Sequence, residues 1–285
     1  MCYKPAFSGI LGIHQDEIFA NVKSALAEDI GAGDITAELI PNETLASATL
    51  ITREHAVLSG IPWFNEVFNQ LDETIKIEWL VTDGDVITPD QTLCQIEGST
   101  RSILTGERTA INFIQTLSGT ATTVASYVEL TKDTHAKIRD TRKTIPGLRL
   151  AQKYAVTCGG GFNHRLGLYD AILIKDNHIL AAGSITKAIN QAKKKNRPVE
   201  IEVETLHELE EALTANVDQI LLDNFNLAKL VKAVSITQGR AKLEASGNIN
   251  KNNLRAIAET GVDFISIGAL TKHIQAIDFS MRIKK

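Results

Sequence analysis

The sequence predicts an α/β protein in which a small α+β layer is followed by a βα barrel. From about residue 130 onward, short apolar runs alternate with amphipathic runs of helical period, a rhythm that favours parallel strands with helices outside. Polar residues follow each predicted strand of this region, as at the active-site rim of a barrel, whereas an open sheet would concentrate them at one switch point. Before residue 115, predicted helices and strands come in a mixed order, which indicates a separate layer.

Composition excludes several classes of protein. The chain has 285 residues, enough for one large domain or two of moderate size, and its 30 Lys+Arg against 34 Asp+Glu give a net charge of −4. This balance argues against a general nucleic-acid or membrane-surface binder. No apolar run approaches a membrane span, and the start from Met1 to Pro5 does not predict a secretory signal.

The cysteines predict a reducing, cytoplasmic setting. Cys2, Cys94 and Cys158 are odd in number and lack CxxC spacing, which argues against a disulfide framework or a zinc site. Two interpretations of Cys158, beside a triple glycine, stay open: a nucleophile, or a small half-buried residue at a helix end.

The first part of the chain contains elements of both types. Ile18, Val22 and Leu26 recur at helical spacing, Pro62 suits the start of a helix, and Asp83-Gly84 is a turn signal that ends a strand. The predicted helices are Glu17–Asp29, Trp63–Leu71 and Ser102 to about Leu117. The predicted strands are Ala46–Thr52, Lys76–Thr82 and Thr92–Glu97.

The second part predicts repeated βα units. The candidate strands are Ala136–Arg139, Ala171–Ile174, Val199–Val203, Gln219–Leu222, Lys242–Ala245 and Phe264–Ile267. The candidate helices are Leu148–Thr157, Ser184–Lys195, Leu206–Ala215, Leu227–Thr237 and Asn250–Glu259. No fixed-period repeat and no low-complexity tract is present.

The segment 199–204 alternates strictly between apolar residues and glutamates. If its apolar face packs against helices, the glutamates point into the barrel and need cations opposite them. The cations whose strand positions suit this are Lys137, Arg139, Lys175 and Lys242. The alternative is a solvated edge strand with its glutamates in water, although βα units on both sides make an edge position unfavourable.

Positive charge is concentrated after the first two barrel strands. Arg142 and Lys143 follow one strand, Lys175 follows the next, and His164-Arg165 comes shortly after the glycines at 159–161. Guanidinium groups match carboxylates in paired hydrogen bonds, so these residues predict capture of a small anion with several charges. Arg108, in Gly-Glu-Arg-Thr, is a further candidate. The triple glycine fits neither the Walker nor the dinucleotide fingerprint.

Small residues follow the last two strands, where barrels commonly bind phosphate. Glu244 to Asn248 and Ser266 to Leu270 both place glycine where a strand hands over to a helix. The alternative is that these glycines only make turns.

Two acidic residues, Glu204 and Asp223, end neighbouring strands. They suit Mg²⁺ held jointly with substrate oxygens, hydrogen bonding to a sugar diol, or simple pairing with buried lysines. Lys175 suits either a Schiff base or, with carboxylates near it, a charged phosphate-binding or structural role.

Taken together, the motifs resemble the quinolinate phosphoribosyltransferases, also called nicotinate-nucleotide pyrophosphorylases (carboxylating). The resemblance covers nearly the whole chain. It rests on Glu28–Thr36, Gly106–Ala110, Asp140–Thr144 with Pro146–Arg149, Gly159–Gly161 with Asn163–Arg165, Leu173–His178, Glu202–Thr205, Leu221–Phe225, Glu244–Gly247 and Gly268–Thr271.

The resemblance implies an incomplete α/β barrel over residues 116–271 and an N-terminal α+β open-faced sandwich over residues 1–115, to which residues 272–285 return. It also implies a homodimer in which Arg108 reaches into the partner's site, with larger assemblies left open. The implied reaction joins quinolinate to phosphoribosyl pyrophosphate with Mg²⁺, giving nicotinate mononucleotide, pyrophosphate and CO₂.

The likeness also implies roles for individual residues. Thr141, Arg142, Lys143, His164, Arg165 and Lys175 would line the quinolinate and phosphate pocket. Glu204 and Asp223 would face the ribose and the metal, and with Lys143 and Lys175 they form the implied catalytic set. Ser246, Gly247, Asn248, Ile267, Gly268 and Ala269 would surround the 5′-phosphate.

Three positions depart from the usual family pattern. Asn248 stands where another glycine is frequent, which predicts a slightly reshaped phosphate loop. Lys272-His273 follows Thr271 in place of His-Ser, so no role is carried onto either residue. Ile145 stands where threonine is common.

Three rival functions remain open at this point. One is a related phosphoribosyltransferase acting on nicotinate or another ring acid, which would differ in its carboxylate clamp. Another is a Schiff-base aldolase with Lys175 as nucleophile. The third is a non-catalytic phosphometabolite sensor, although the chain has no appended DNA-binding or effector segment.

Overall fold

The computed structural model describes residues 15–284, so Cys2 and the start of the chain lie outside the described residues. The described residues form two compact units. The sandwich unit consists of residues 15–125, 145–160 and 273–284, and the barrel unit consists of residues 126–144 and 161–272. The domain boundaries predicted after residues 115 and 271 stay a prediction. None of the helices between residues 15 and 284 is long and apolar enough to cross a bilayer.

The helices and strands follow one another in a largely alternating order. The helices are α1 (Gln15–Ile30), α2 (Ile61–Leu71), α3 (Thr100–Leu130), α4 (Arg149–Cys158), α5 (Asp176–Ala182), α6 (Ile185–Lys193), α7 (Leu206–Thr214), α8 (Leu227–Thr237), α9 (Lys251–Ala258) and α10 (Ala269–Lys272). The strands are β1 (Leu45–Thr52), β2 (Ala56–Val57), β3 (Lys76–Trp79), β4 (Val86–Ile87), β5 (Thr92–Ser99), β6 (Lys137–Arg139), β7 (Ile172–Ile174), β8 (Val199–Val203), β9 (Gln219–Asp223), β10 (Lys242–Ser246), β11 (Phe264–Ser266) and β12 (Phe279–Lys284).

The sandwich unit is built on an antiparallel sheet in the order β12-β1-β5-β3. Its core includes residues from α1, α2 and α3 as well as from the sheet. Aromatic residues fill the space next to α2: the ring of Phe64 lies 5.3 Å from that of Phe68 and 5.2 Å from that of Trp79. Burial of these rings contributes much of the stability of this layer.

The barrel unit contains a parallel sheet in the order β6-β11-β10-β9-β8-β7. This order is cyclic except that β6 and β7 are not paired, so the sheet is a barrel opened between these two strands. It has six strands where complete barrels of this type have eight. The sequence-based prediction of an incomplete barrel and a separate N-terminal domain is therefore confirmed.

Side-chain caps fix where the outer helices of the barrel unit begin. Each cap residue accepts a hydrogen bond from a backbone N–H of the first turn, which would otherwise lack a partner. These residues are Ser184, Thr205, Asn226 and Asn250. The caps therefore fix the first turn of each of these helices.

Two predictions about helices need correction. Helix α3 continues to Leu130 rather than ending near Leu117, and α5 was not predicted. In α3, Gly119 allows a close approach of chain segments: a Cβ at this position would lie 2.2 Å from the carbonyl oxygen of Gln275. Tertiary packing therefore accounts for this glycine inside a helix, and sequence periodicity does not reveal such packing.

We expect Gly119→Ala to destabilise the protein, although alanine normally favours a helix. The new methyl group would clash with backbone rather than with a flexible side chain, so the expected loss is about 1–3 kcal/mol. Urea unfolding of the variant measures this. An unchanged or raised unfolding free energy would contradict the close approach.

Candidate active site

The parallel barrel sheet brings the predicted site residues to one edge. Its strands all run in the same direction, so their carboxyl ends share that edge. The residues at or just after these ends are Thr141, Arg142, Lys143, Lys175, Glu204, Asp223, Ser246, Gly247, Asn248, Ile267, Gly268 and Ala269. Residues widely separated in sequence thus meet because of sheet topology.

The loop that carries His164 and Arg165 is fastened to the end of β6. The backbone N–H of Phe162 donates to Ile138 (2.8 Å), and that of Asp140 donates to Phe162 (3.1 Å). The Asp140 carboxylate then accepts the backbone N–H of His164 at 2.8 Å. These bonds bring His164 and Arg165 to the same edge as Arg142.

Arg142 and Arg165 form a pair of like charges. Arg165 is nine-tenths buried and Arg142 is half-buried. Burial lowers the pKa of Arg165, and the charge of Arg142 lowers it further. Within residues 15–284, Arg142 makes no salt bridge, and its buried Nε has no hydrogen-bond acceptor. A guanidinium that has no acidic partner, close enough to a second one to lower its pKa, suits a negatively charged ligand.

Lys143 lies against the loop that follows β11. Its carbonyl oxygen accepts a hydrogen bond from Thr271 Oγ1 at 2.8 Å. A Cβ on Gly268 would lie 2.9 Å from Lys143 Cδ and 3.7 Å from its Nζ. Gly268 therefore gives the lysine room, and the ammonium group lies beside the predicted phosphate loop.

The glutamates of β8 face the barrel interior as predicted, and β8 lies between β9 and β7, so the edge-strand alternative is wrong. Glu200 is buried, and Glu202 forms an ion pair with Lys175. This pairing opposes the Schiff-base interpretation, because an ion-paired ammonium has no free electron pair for attack on a carbonyl.

Two of the four cations predicted to balance these glutamates lie elsewhere. Lys242 pairs with Asp263 at 2.6 Å near the start of β10, and the ammonium of Lys137 lies 5.8 Å from the ring centre of Phe162. Both lysines are exposed because each is the first residue of its strand. The buried glutamates lie farther along their strands, toward the barrel interior. Assigning them to the barrel interior was wrong.

Glu204 and Asp223 end adjacent strands. The registered pair Val203 and Leu222 directly precedes them, so the two carboxylates lie side by side at the edge. Glu204 is exposed, while Asp223 is half-buried and accepts a 2.7 Å hydrogen bond from Asn224 Nδ2. They offer accessible oxygens of the kind that Mg²⁺ prefers.

The loop after β10 needs its glycine. Gly247 has φ of 96°, and a Cβ there would lie 2.2 Å from Asn224 Oδ1. Asn248, which departs from the family pattern, adopts φ of 51°, a left-handed conformation that asparagine tolerates better than most residues. Its Nδ2 donates to Asn224 Oδ1 at 3.2 Å, linking this loop to the end of β9.

Six buried polar residues in the barrel interior form what we call the interior network. Arg139 donates to Glu244 Oε2 at 2.6 Å, and Gln219 Nε2 lies 2.7 Å from Glu200 Oε1 and 3.1 Å from Glu244 Oε2. Ser266 donates to Glu244 Oε1, and His164 Nε2 lies 2.8 Å from Glu200 Oε2. The members are Arg139, His164, Glu200, Gln219, Glu244 and Ser266.

Three members of this network have the spacing of a metal site. Ligand atoms of His164, Glu200 and Glu244 lie within 4.8 Å of one another. Every carboxylate oxygen of the two glutamates nevertheless has a donor nearby, and the guanidinium of Arg139 already supplies positive charge. The arrangement therefore fits a hydrogen-bonded network better than a metal centre.

The buried members of the interior network shift one another's pKa values. Burial and the charge of Glu200 raise the pKa of Glu244. Burial also raises the pKa of Glu200, but the charge of His164 and its hydrogen bond outweigh this, and the net effect lowers the pKa. For His164, burial lowers the pKa while Glu244 and Glu200 raise it, and the net effect is a rise.

Other candidates lie in the sandwich unit. Arg108 is exposed on α3. Cys158 is half-buried, and burial raises its pKa to about 11, which argues against a nucleophilic thiolate. A cavity in this unit is lined by Glu66 and Glu73 among others, so its acidic wall does not suit an anionic ligand.

Sequence reasoning missed Gln219 and Ser266 and named Glu244 only as part of a motif. Gln219 opens an otherwise apolar strand, and Ser266 is the registered neighbour of Arg139. A polar residue within a strand expected to be buried on both sides is the signal that would have found them.

Comparison with known families matches both parts of the chain. Residues 34–118 match the model for the quinolinate phosphoribosyl transferase N-terminal domain, and residues 120–282 match that for the C-terminal domain. These two regions cover most of the sequence.

Individual relatives are similar over nearly the full length. The chain is 42% identical to a probable nicotinate-nucleotide pyrophosphorylase [carboxylating] of Synechocystis over 265 residues, 90% of each chain. It is 37% identical to quinolinate phosphoribosyltransferase [decarboxylating] 1b of Nicotiana tabacum, covering 92% of this chain and 81% of the relative. The structure of the nicotinate-nucleotide pyrophosphorylase of Francisella tularensis superposes with a TM-score of 0.93 at 52% identity, covering 96% and 98%.

We expect Arg139→Met to cost about 3–5 kcal/mol of unfolding free energy, because it leaves buried carboxylates without their cation. Replacing Glu244 by Gln as well should recover roughly half of that loss. Urea unfolding of the two single variants and the double variant measures the coupling.

Lys242→Met is the matched control, since its ion pair with Asp263 is partly exposed. The expected cost there is roughly 0–1 kcal/mol. Strictly additive losses from Arg139→Met and Glu244→Gln would show that the two residues do not stabilise each other.

Proposed function

Because the chain belongs to the quinolinate phosphoribosyltransferase family, we propose that it transfers a phosphoribosyl group from phosphoribosyl pyrophosphate to quinolinate with decarboxylation. The products are nicotinate mononucleotide, pyrophosphate and CO₂, which places the reaction in NAD biosynthesis. The observation that carries this proposal is at the strand-end edge, where Arg142 has no salt bridge within residues 15–284 and its charge lowers the pKa of Arg165, an arrangement suited to a ligand with two carboxylates.

In this proposal, Arg142 and Arg165 bind the carboxylates of quinolinate. Each guanidinium can donate two parallel hydrogen bonds to one carboxylate. Burial and the charge of Arg142 disfavour the charged form of Arg165, although Asp170 and Glu200 partly offset this, so a bound dianion would stabilise both guanidinium groups more than a monocarboxylate would. His164 lies between this pair and the barrel interior.

The phosphoribosyl donor is proposed to lie across the remaining strand ends. The small residues Ser246, Gly247 and Gly268, with Asn248, Ile267 and Ala269 beside them, leave backbone accessible for the 5′-phosphate. Lys143, next to Gly268, and Lys175 supply positive charge for the pyrophosphate. Thr141 Oγ1 accepts the backbone N–H of Lys143 at 3.1 Å and so shapes this turn.

Glu204 and Asp223 fit a magnesium site that is completed by substrate oxygens. Both end adjacent strands, and the exposed Glu204 keeps accessible carboxylate oxygens. When bound, Mg²⁺ would neutralise charge on the departing pyrophosphate. The same two carboxylates are suitably placed for hydrogen bonds to the ribose hydroxyls.

The residues act mainly through charge and orientation. Quinolinate and the diphosphate repel each other, so the arginines and lysines must first hold them together. Their placement then aims the pyridine nitrogen at the anomeric carbon as pyrophosphate leaves. Bonding at nitrogen makes the ring cationic, and this charge stabilises the electron pair left on the adjacent carbon when its carboxylate departs as CO₂. That carbon then takes up a proton from water, which completes nicotinate mononucleotide.

We propose that the protein acts as a homodimer in which Arg108 completes the partner's site. The segment around Ile35 and Leu39 supports this, because both side chains are at least 80% exposed. It is anchored to α3, the helix of Arg108: Thr105 Oγ1 donates to Asp34, and Arg101 donates to the carbonyl of Ile40. Exposed apolar residues beside an arginine are typical of a protein interface.

We propose a cytoplasmic setting for the reaction. Cys94 and Cys158 are free thiols, which suits a reducing compartment. Titration of the protein's thiols before and after reduction, on protein isolated from cell extract, would test this. Thiols that are found oxidised before reduction would contradict it.

The direct test is to mix the protein with carboxyl-labelled quinolinate, phosphoribosyl pyrophosphate and Mg²⁺ and to follow labelled CO₂. We expect release that depends on all three components. A parallel reaction with nicotinate should form no mononucleotide. Turnover of nicotinate without turnover of quinolinate would support the related phosphoribosyltransferase instead.

We expect Arg142→Ala and Arg165→Ala each to raise the quinolinate KM about a hundredfold, the effect of losing ~2–3 kcal/mol from a charge-assisted contact. Steady-state kinetics measure this, with circular dichroism as the check on folding. Lys232→Ala, which removes an exposed charge on α8, is the control and should leave KM unchanged. Near-normal saturation in both arginine variants would contradict the clamp.

Arg108→Ala and Arg165→Ala should complement each other in a mixed dimer. A dimer purified through a different tag on each subunit has one site with both arginines intact, so we expect about half of wild-type activity at low quinolinate. Homodimers of either variant should be far less active. A mixed dimer no better than its parents would contradict the sharing of sites.

A further inference from the structure

One asparagine, Asn224, connects the ends of two neighbouring barrel strands. Its backbone N–H donates to the carbonyl of Ser246 at 2.9 Å, which joins the loop after β9 to the end of β10. Its side-chain Nδ2 donates to Asp223 Oδ2 at 2.7 Å, and its Oδ1 accepts a hydrogen bond from Asn248 Nδ2 at 3.2 Å. A single amide therefore contacts both a carboxylate of the proposed magnesium site and the proposed phosphate loop.

The carboxylate of Asp223 determines which way this amide faces. An ionised carboxylate only accepts hydrogen bonds, so the amide nitrogen of Asn224 must face Asp223 and the amide oxygen must face Asn248. A hydrogen bond to a charged acceptor is also stronger than one between neutral groups. The side chains of these three residues thus form a chain of bonds with a fixed direction.

The backbone of this region tolerates few other side chains. Asn224 has φ of 55° and Asn248 has φ of 51°, in the left-handed region that asparagine adopts more readily than most residues. A Cβ on Gly247 would lie 2.2 Å from Oδ1 and 2.7 Å from Cγ of Asn224, so the amide packs directly against the loop backbone. The position of the phosphate loop and that of the Asn224 amide therefore depend on each other.

The other end of this chain of bonds is fastened to the first turn of α9. The carbonyl oxygen of Asn248 accepts a hydrogen bond from Asn253 Nδ2 at 3.1 Å. Asn253 Oδ1 in turn accepts the backbone N–H of Asn250, the cap residue of α9, at 2.8 Å. Contacts therefore run from α9 through Asn248 and Asn224 to the carboxylate of Asp223.

Stability accounts poorly for these contacts. Asn224 and Asn248 are exposed, and Asp223 is half-buried. Water competes for exposed hydrogen bonds, so each of them contributes little to the free energy of unfolding. A ligand that covers the strand-end edge would exclude this water and strengthen the same bonds. The chain of bonds is therefore suited to act when the edge is occupied.

We propose that Asn224 is a positioning residue, which holds the Asp223 carboxylate in place for phosphoribosyl pyrophosphate and its Mg²⁺. The amide of Asn224 is itself held by Asn248, so the phosphate loop and the carboxylate move as one unit. This inference rests on the proposed function, because it assumes that Asp223 faces phosphoribosyl pyrophosphate. It makes Asn224 a determinant of affinity for this substrate and leaves quinolinate binding unaffected.

The first test removes the amide without straining the backbone. Glycine adopts positive φ freely, so Asn224→Gly keeps the left-handed conformation. We expect the dissociation constant for phosphoribosyl pyrophosphate with Mg²⁺ to rise roughly tenfold, the loss of about one hydrogen bond, and that for quinolinate to stay within about twofold. Isothermal titration calorimetry measures both constants, with each substrate added alone.

Asn216→Gly is the matched control. Asn216 is exposed and also has φ of 55°, but it lies before β9, whereas Asn224 lies after it. We expect either dissociation constant to change less than about twofold. A change of less than about threefold in phosphoribosyl pyrophosphate binding by Asn224→Gly, or an equal change in both glycine variants, would overturn the proposal.

The second test asks whether Asn224 acts through Asp223. In an Asp223→Ala background the amide has no carboxylate to hold, so Asn224→Gly should weaken the binding of phosphoribosyl pyrophosphate no further. Effects that multiply would mean that Asn224 contacts this substrate directly, and the positioning role would be wrong. Circular dichroism of the two single variants and the double variant checks that each is folded.

The third test concerns the link to the phosphate loop. Asn248→Gly removes the amide that donates to Asn224 and keeps a positive φ. We expect roughly threefold weaker binding of phosphoribosyl pyrophosphate, and no further weakening when Asn248→Gly is added to Asn224→Gly. An equal loss in both backgrounds would show that Asn248 acts without Asn224, which would overturn the link.

The wild-type protein separates failure of this inference from failure of the proposed function. If it neither binds phosphoribosyl pyrophosphate nor releases CO₂ from quinolinate, the proposed function fails. If it does both, and Asn224→Gly binds phosphoribosyl pyrophosphate as tightly as wild type, only the positioning role of Asn224 fails.

Discussion

The buried ion pair between Arg139 and Glu244 is the interaction on which the candidate site depends. Two carboxylates inside a barrel would be prohibitively unfavourable without a cation and a full set of donors. Arg139, stacked 3.2 Å from the ring centre of Phe264, supplies the cation at 2.6 Å from Glu244, and Gln219 and Ser266 supply further donors. Strand β6, which carries Arg139, also leads directly into Asp140 and Arg142. The residue that neutralises negative charge in the barrel interior therefore lies at the start of the anion-binding loop.

Charge is arranged in two layers of the barrel unit. In the interior network, Arg139, Gln219 and Ser266 donate hydrogen bonds to the two buried glutamates. At the strand-end edge, by contrast, the charge of Arg142 lowers the pKa of Arg165, and Glu204 is accessible to solvent. A site that binds two mutually repelling anions requires such uncompensated charge on a rigid support. The interior network provides that support.

Most of the barrel, and the residues that lie at the carboxyl ends of its strands, were predictable from sequence. Apolar periodicity located all six barrel strands, because each strand must be buried on both faces. Parallel topology then required Lys175, Asp223 and Ser246 to share an edge with Arg142, whatever their distance along the chain. The partners of individual side chains were harder to predict from sequence. Lys137 and Lys242 have the strand parity of interior residues, but they lie at the start of their strands and are exposed. Gly119 is explained by a close approach to the carbonyl oxygen of Gln275, which is distant in sequence.

A crystal structure with quinolinate bound tests the central claim most directly, since it measures where the dianion lies. The account predicts that its two carboxylates lie within hydrogen-bonding distance of the guanidinium groups of Arg142 and Arg165. Quinolinate bound away from both arginines, with the pair still facing solvent, would contradict it.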